Sequence, residues 1–358
     1  MTFPAAILAS VMAQPTDEVT ALEAAPFISL VDRELSAHLS VARERLASLA
    51  PDALVLVDEL VRLVEAGGKR LRPLLCYWGH RAAGGVGGRP LARAGAAIEL
   101  LHTSAIIHDD VMDRSELRRG KPTAFATLGG SAAVLAGDLA QAYADELLVG
   151  SGFASELTMA AFIHFNRMRV EAVSGEFMDL TVAAGGGAGV EEARARRIAA
   201  LKSGSYSVVG PLLVGASLAG AGKDLLAALR NFGEPLGEAF QLRDDVLGTF
   251  GDPAITGKDR DGDIRLGKRS TMVAKALRLG SKAERRLLLD RLGSGVLSAD
   301  DVEEVRRVIR GSGALAETIE LTNELAALAT ASLQAAPIES NAGAALAALA
   351  GEMAVRDA

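Results

Sequence analysis

The chain has a single cysteine, Cys76, and a single tryptophan, Trp78, and aromatic residues make up only 4% of its 358 positions. One thiol excludes an internal disulfide and fits a reducing compartment, so a cytoplasmic location is expected. Basic residues are outnumbered, 38 Lys and Arg against 45 Asp and Glu, for a formal net charge of −7. A chain of that sign is repelled by nucleic acid and by anionic lipid, and neither is expected as a partner. No uninterrupted apolar run of about 18 residues occurs, so no transmembrane segment is expected. The opening MTFPAAILASVMAQP has a short apolar run with no Lys or Arg before it. It lacks the basic region of a signal peptide, and residues 1–20 read as a mobile N-terminal extension.

Nearly half of the residues, 49%, are hydrophobic. Ala and Leu dominate them, which favours helices over strands. Helical periodicity runs over 17–65 with Pro26 and Pro51 as punctuation, then over 91–113, 131–149, 154–180, 191–219, 223–248, 270–291 and 299–335. GGKRLRP (67–73) reads as a basic turn leading into a further helix, and AAGGVGGRP (82–90), SELRRGKPT (115–123) and AAGGGAG (183–189) as loops. KDRDGDIRLGKRS (258–270) is too charged and too broken by Gly to be core. The expected fold is all-α, one helical domain over 21–335, followed by an Ala-rich tail (336–358) whose last part, 340–358, is expected to fray or dock weakly.

Within that apolar background IIHDDVMD (106–113) places three aspartates in five positions. On a helix Asp109 and Asp113 share one face about 5.4 Å apart, with His102 two turns back on the same stripe. Like charges so spaced are best explained by a hard cation, and a donor set of oxygens without a Cys or His cluster points to magnesium. A second acidic string, EAFQLRDDVLGTFGD, carries Asp244 and Asp245 with Gln241 one turn before, and Gly248 in the place that corresponds to Asp113. One such string is often just a solvated helix end. Two strings ending apolar helices favour a metal-binding pair.

Magnesium held by a few carboxylates completes its shell with water and phosphate oxygens. Three basic clusters could hold the phosphate: Lys69, Arg70 and Arg72; Arg118, Arg119 and Lys121; Lys258, Lys268 and Arg269. DRDGD (259–263) looks partly like a calcium loop, but Ile264 and Ser270 stand where its Gly and bidentate Glu belong. His80 with His108 and Asp109 would suit a metal phosphohydrolase, a reading that leaves the second acidic string and GGKRLRP unexplained.

Taken together, GGKRLRP, LLHTSAIIHDDVMDRSELRRGKPT and FQLRDDVLGTFGD…GK…GKRS resemble the trans-type polyprenyl diphosphate synthases, in the form often assigned as bacterial geranylgeranyl diphosphate synthases. The resemblance spans roughly residues 30–335 in the family's order and spacing. It implies an isoprenoid synthase bundle with a central apolar cavity, and head-to-tail condensation of isopentenyl diphosphate with an allylic diphosphate (dimethylallyl, geranyl or farnesyl). It implies Lys69, Arg72, His102 and Arg119 on the diphosphate of isopentenyl diphosphate. Arg118, Lys202, Lys258 and Lys268 would hold the allylic diphosphate, with Ser203 beside Lys202 and Gln241 lining the site. Asp109, Asp113 and Asp244 would be the metal ligands, for three Mg2+, and with Lys202 and Lys258 the catalytic set. A homodimer is implied as well.

Three departures accompany the match: Ser203 for a usual Thr, Glu176 for a usual Gln, and Gly248 for the third Asp of the second motif. Small side chains at Ser104 and Ala105, with Leu101 one turn deeper, suggest a tunnel open beyond the C15 length, and hence the C20 product geranylgeranyl diphosphate. A floor from the helix within 131–149 is expected. Alternatives are a farnesyl or longer-chain synthase, a non-catalytic partner subunit of a heteromeric synthase, and a terpene cyclase. The last would not need the nucleophile site that GGKRLRP and the double Arg imply.

Overall fold

The computed structural model describes residues 16–118, 120–184, 189–251, 261–294, 297–334 and 336–355. The part of the N-terminal extension expected over 1–15 lies outside the described residues. Helix α1 (Thr16–Leu49) is followed by a 3₁₀ turn at Pro51–Ala53 and by α2 (Leu54–Glu65), α3 (Leu71–Ala82) and α4 (Arg89–Met112). Then come α5 (Ala124–Leu128), α6 (Gly130–Val149), α7 (Ser155–Ala184), α8 (Glu192–Ala199), a π-helical stretch (Ala200–Val209) and α9 (Gly210–Leu218). The remainder is α10 (Lys223–Phe250), α11 (Gly262–Arg265), α12 (Thr271–Leu279), α13 (Lys282–Arg291), α14 (Ala299–Gly311), α15 (Ala314–Leu333) and α16 (Ser340–Val355). The fold is all-α, as the composition predicts.

Several boundaries differ from the sequence reading, each for a local reason. Pro26 does not interrupt α1, which runs straight through it, whereas Pro51 does start a new turn. The loop expected at 115–123 contains a two-stranded antiparallel hairpin, Leu117–Arg118 paired with Lys121–Pro122. The pattern over 270–291 breaks at Gly280, where Ser281 and Glu284 form a capping box that starts α13. That over 299–335 breaks at Gly313, whose φ of 86° is left-handed and suits glycine. Ile264, in a segment read as too charged for core, is 2% exposed and packs with Val246, Met272 and Val302.

The C-terminal segment, as far as it is described, is helical to Val355 and docked. Helix α16 buries Ala342, Ala345, Leu346, Leu349, Ala350 and Met353, and packs on α15, α10, α3 and α1. Its alternation of Ala with two Leu makes a narrow apolar face that docks closely, which a compositional view of an Ala-rich tail does not capture. The run 192–218 is long and apolar enough to cross a membrane, but 72% of its most apolar window is buried inside the protein. Its apolarity is that of a core helix surrounded by other helices.

Two places bring backbones into contact. A Cβ on Gly215 of α9 would lie 1.9 Å from the Cys76 carbonyl oxygen of α3, and one on Gly79 of α3 would lie 2.2 Å from that of Leu212. The Cys76 side chain is fully buried here, and burial pushes its thiol up to about 12, so it is unreactive. A second contact joins Gly204 of the π-helical stretch to Gly237 of α10, where a Cβ on Gly237 would lie 2.7 Å from the Gly204 Cα. These contacts fix α3 to α9 and the π-helical stretch to α10. Gly215→Ala should therefore cost roughly 1–3 kcal/mol through overpacking, read as a lower denaturation midpoint. An unchanged midpoint would mean that the two helices can separate freely.

Candidate active site

The last turn of α4 presents Asp109 and Asp110, and Asp113 caps it, its amide donating to the Asp109 carbonyl at 2.8 Å. Arg114 then takes a left-handed conformation, φ 52°, which turns the chain into the hairpin. The hairpin returns Arg118 to the aspartates: Nη2 donates to Asp109 Oδ2 at 2.8 Å and Nε to Asp110 Oδ1 at 2.9 Å. Asp110 is 2% exposed and serves to hold Arg118. Burial raises its pKa, an effect that Arg118 opposes. Burial alone would also raise Asp109, but Lys202, Lys268 and Arg118 outweigh it and hold Asp109 below the usual carboxylate range. Asp113 is raised, by burial and then by the charge of Asp109.

Lys202 reaches the same point from the π-helical stretch. Its Nζ lies 2.8 Å from Asp179 Oδ2, 3.0 Å from Glu176 Oε2 and 3.5 Å from Asp109 Oδ1. A Cβ on Gly175 would lie 2.3 Å from the Lys202 amide nitrogen, so α7 and the π-helical stretch meet backbone to backbone there. A π-helical segment at such a site is a common functional device, because its wider turn re-aims side chains. Burial disfavours the Lys202 ammonium, but Asp109, Asp179 and Glu176 reverse that and hold it firmly charged.

The second acidic string lies near the C-terminal end of α10. Asp244 is half-buried there, next to Asp245, to which Gln241 Nε2 donates at 2.7 Å. Withdrawal from solvent, then the charge of Asp263, pushes Asp245 up to about 8. Lys268 Nζ pairs with Asp263 at 3.0 Å, and that pairing raises it above an ordinary lysine. The other Asp263 oxygen lies over Gly248, where a Cβ would approach it to 2.1 Å. The position that lacks the third motif aspartate thus has a carboxylate against it, delivered by another segment. Arg306, 4% exposed, fixes that segment by donating to the Thr249 carbonyl at 2.8 Å and to Asp261 at 2.6 Å.

A third group gathers around Tyr206. Arg72 Nη2 donates to Tyr206 Oη at 3.0 Å and Ser207 Oγ at 2.7 Å, and the guanidinium stacks 4.6 Å from the ring centre. Tyr206 Oη lies 3.2 Å from His102 Nδ1, so Tyr206 links Arg72 to His102. Lys69 is exposed in the turn before α3.

Arg70, expected in the same basic cluster, instead points inward: it is 7% exposed and bonds Glu99 at 2.7 Å and Asp32 at 2.8 Å. Arg269 likewise turns away, donating to the Leu292 carbonyl at 3.3 Å. Arg119 and Lys258 lie outside the described residues. Ser203 is half-buried beside Lys202. Ser104 and Leu101 are buried on α4, with Ala105 half-buried.

The donors are all oxygens, as a magnesium site requires. Among the described residues no group of three or more His, Cys, Asp or Glu side chains is placed to hold a metal ion by itself. A cation here would therefore be shared with water and phosphate rather than caged by the protein, which is how magnesium usually binds. The residues fit that ion.

A family model described as polyprenyl synthetase matches residues 55–309. The chain belongs to the polyprenyl synthetase family. It is 34% identical over 293 residues to a geranylfarnesyl diphosphate synthase of Aeropyrum pernix, covering 80% of this chain and 86% of that protein. It is 36% identical over 274 residues to a geranylgeranyl diphosphate synthase of Sulfolobus acidocaldarius, covering 73% and 79%. Among solved structures, a geranylgeranyl pyrophosphate synthase of Corynebacterium glutamicum superposes with a TM-score of 0.86 at 32% identity, over 92% of this chain and 98% of that one. That protein was crystallised with isoprenyl diphosphate and magnesium.

For a polyprenyl synthetase the sequence reading missed two residues. Tyr206 is one of three tyrosines in the chain and sits in the buried run SYSVVGP. A polar ring in such a run needs a partner, which was the available signal. Asp263 lay in a segment read as too charged for core, where it was weighed only as part of an incomplete calcium loop. Asp245, raised from 3.8 to about 8 in the folded chain, binds a proton there that the unfolded chain has already lost. Its contribution to stability is whole below about pH 4 and is lost as pH rises to about 8. In chelator, the midpoint of thermal unfolding should fall between about pH 5 and pH 8, and Asp245→Asn should flatten that fall. Equal slopes for the two proteins would contradict the assignment.

Proposed function

We propose that this polyprenyl synthetase condenses isopentenyl diphosphate head to tail with an allylic diphosphate (dimethylallyl, geranyl or farnesyl), making all-trans geranylgeranyl diphosphate, C20, as its main product. The supporting observation is the meeting of Asp109, Lys202, Arg118 and Lys268 from four separate segments, beside the Arg72–Tyr206–His102 group. Arg118, Lys202, Lys258 and Lys268 hold the allylic diphosphate. Lys69, Arg72, His102 and Arg119 hold that of isopentenyl diphosphate. Asp109, Asp113 and Asp244 hold magnesium, three ions in all, and Ser203 and Gln241 line the site, Gln241 by bracing Asp245. Magnesium bound there supplies Lewis-acid stabilisation of the leaving diphosphate.

The chain's own residues do the rest. Arg118 and Lys202 stabilise the charge that grows on the diphosphate as the allylic C–O bond breaks and its electron pair departs with oxygen. Arg72 and His102 orient the second substrate so that its double bond attacks the allylic carbon. The proton then lost from the new chain passes to a diphosphate oxygen. Apolar helix walls exclude water that would capture the cation. The buried, unreactive Cys76 agrees with a cytoplasmic enzyme that forms no disulfide.

Chain length follows from α4. Ser104 is buried with its hydroxyl unpartnered, and Ala105 and Leu101 continue the same wall. A helix carrying small groups there leaves room below Asp109 for more than a C15 chain. We also propose a homodimer, because α7 exposes Met159, Ile163, Val170, Val173, Phe177 and Leu180 at helical spacing on one face. A stripe of that size on an isolated chain is an interaction surface.

Purified protein with labelled isopentenyl diphosphate and an allylic primer should make C20 product only when magnesium is present. Asp109→Ala and Asp244→Ala should each lower turnover by at least about a hundredfold, and Ser104→Phe should shorten the product. Undiminished turnover in excess chelator would end the proposal, and a dominant C15 product from the unmodified enzyme would end the chain-length argument. Sedimentation should give twice the chain mass, and Val173→Asp with Phe177→Asp should halve it.

A further inference from the structure

An ammonium group has three N–H donors and no acceptor. In Lys202 they face three carboxylates, Asp179 at 2.8 Å, Glu176 at 3.0 Å and Asp109 at 3.5 Å. Its hydrogen bonds go to Asp179 and Glu176, and Asp109 holds it by charge, so an arriving anion competes with all three. An amide in place of the Glu176 carboxylate would accept a hydrogen bond from Lys202 without opposing a phosphate. Glu176 brings a carboxylate instead, 19% exposed and so weakly screened by solvent. The backbones that carry the two side chains are held together, because Gly175 is in close contact with the Lys202 amide. Arg118 is likewise occupied, by Asp109 and Asp110, and Lys268 by Asp263. The three described cations around Asp109, namely Arg118, Lys202 and Lys268, are thus each paired with acids.

We propose that Glu176 is a positioning residue that keeps Lys202 engaged until divalent cations are bound, so that diphosphate cannot be held at this site without metal. The proposal rests on the reading of this mouth as the diphosphate and magnesium site. A diphosphate approaching the metal-free site meets acids that outnumber the cations, and its own charges add to theirs. Cations bound by the α4 and α10 aspartates reverse the sign of the local field. They also relieve Lys202 of its obligation to Asp109, and its donors can then turn to phosphate oxygens. With Gln at 176 one of the three opposing charges is gone, and part of this conditionality goes with it. The device would keep the enzyme from holding metal-free substrate in a pose where it cannot ionise.

Equilibrium binding of inorganic pyrophosphate, measured by calorimetry on the full chain in saturating magnesium and in excess chelator, tests this. The unmodified protein should bind pyrophosphate in magnesium and far more weakly in chelator. Glu176→Gln should bind it at least about tenfold more tightly in chelator than the unmodified protein does, with a smaller gain from magnesium. Glu176→Asp, which keeps the charge, should retain most of the metal dependence, and so guards against a general loosening of the site. The proposal is overturned if Glu176→Gln shows the same dependence on magnesium as the unmodified protein, or if Glu176→Asp loses it equally. Absence of pyrophosphate binding by the unmodified protein in magnesium would instead remove the diphosphate-site reading on which the proposal stands.

Discussion

Where α4, α7, the π-helical stretch and the hairpin meet, carboxylates are drawn into partly buried positions faster than cations arrive to balance them. Asp109 is answered by Arg118 and Lys202, but Asp113, Glu176 and Asp245 are each pushed toward protonation by burial and by other carboxylates nearby. A stable protein tolerates such crowding only when something else completes the charge balance during its working life. Most of the surrounding architecture serves to bring these charges together. Gly175 lets α7 touch the π-helical stretch, Gly204 and Gly237 let that stretch touch α10, and Arg306 fastens the segment that carries Asp263 and Lys268.

Much of this was legible beforehand. Helical periodicity and the Ala- and Leu-rich composition were enough for the all-α fold, because each helix buries one stripe and repeats at its own period. The acid strings and basic clusters pointed to a cation and phosphate site, because two such strings with basic residues beside them are harder to read as solvated helix ends than one. Sequence could not separate residues of like type in one cluster. Lys69, Arg70 and Arg72 look equivalent on paper. Only the left-handed turn at Arg70 shows that its guanidinium enters the core toward Glu99 while Arg72 faces Tyr206.

The remaining misses share a cause: they depend on what lies opposite in space. Gly248 reads as a lost aspartate, yet the Asp263 carboxylate lies directly against it. Ile264 and the Ala-rich α16 read as solvated or marginal because local composition says nothing of the surface each meets. Gly280 and Gly313 divide helices whose apolar spacing continues across the break, so periodicity alone runs past them.

The contact of α3 with α9 has a mechanical consequence. Side chains that interdigitate can slip by changing rotamer, but Gly79 and Gly215 leave only main chain on main chain, where no such slack exists. These two rods behave as one beam. Any rearrangement that admits a long, greasy guest must be taken up by other elements, while the beam stays still beneath them.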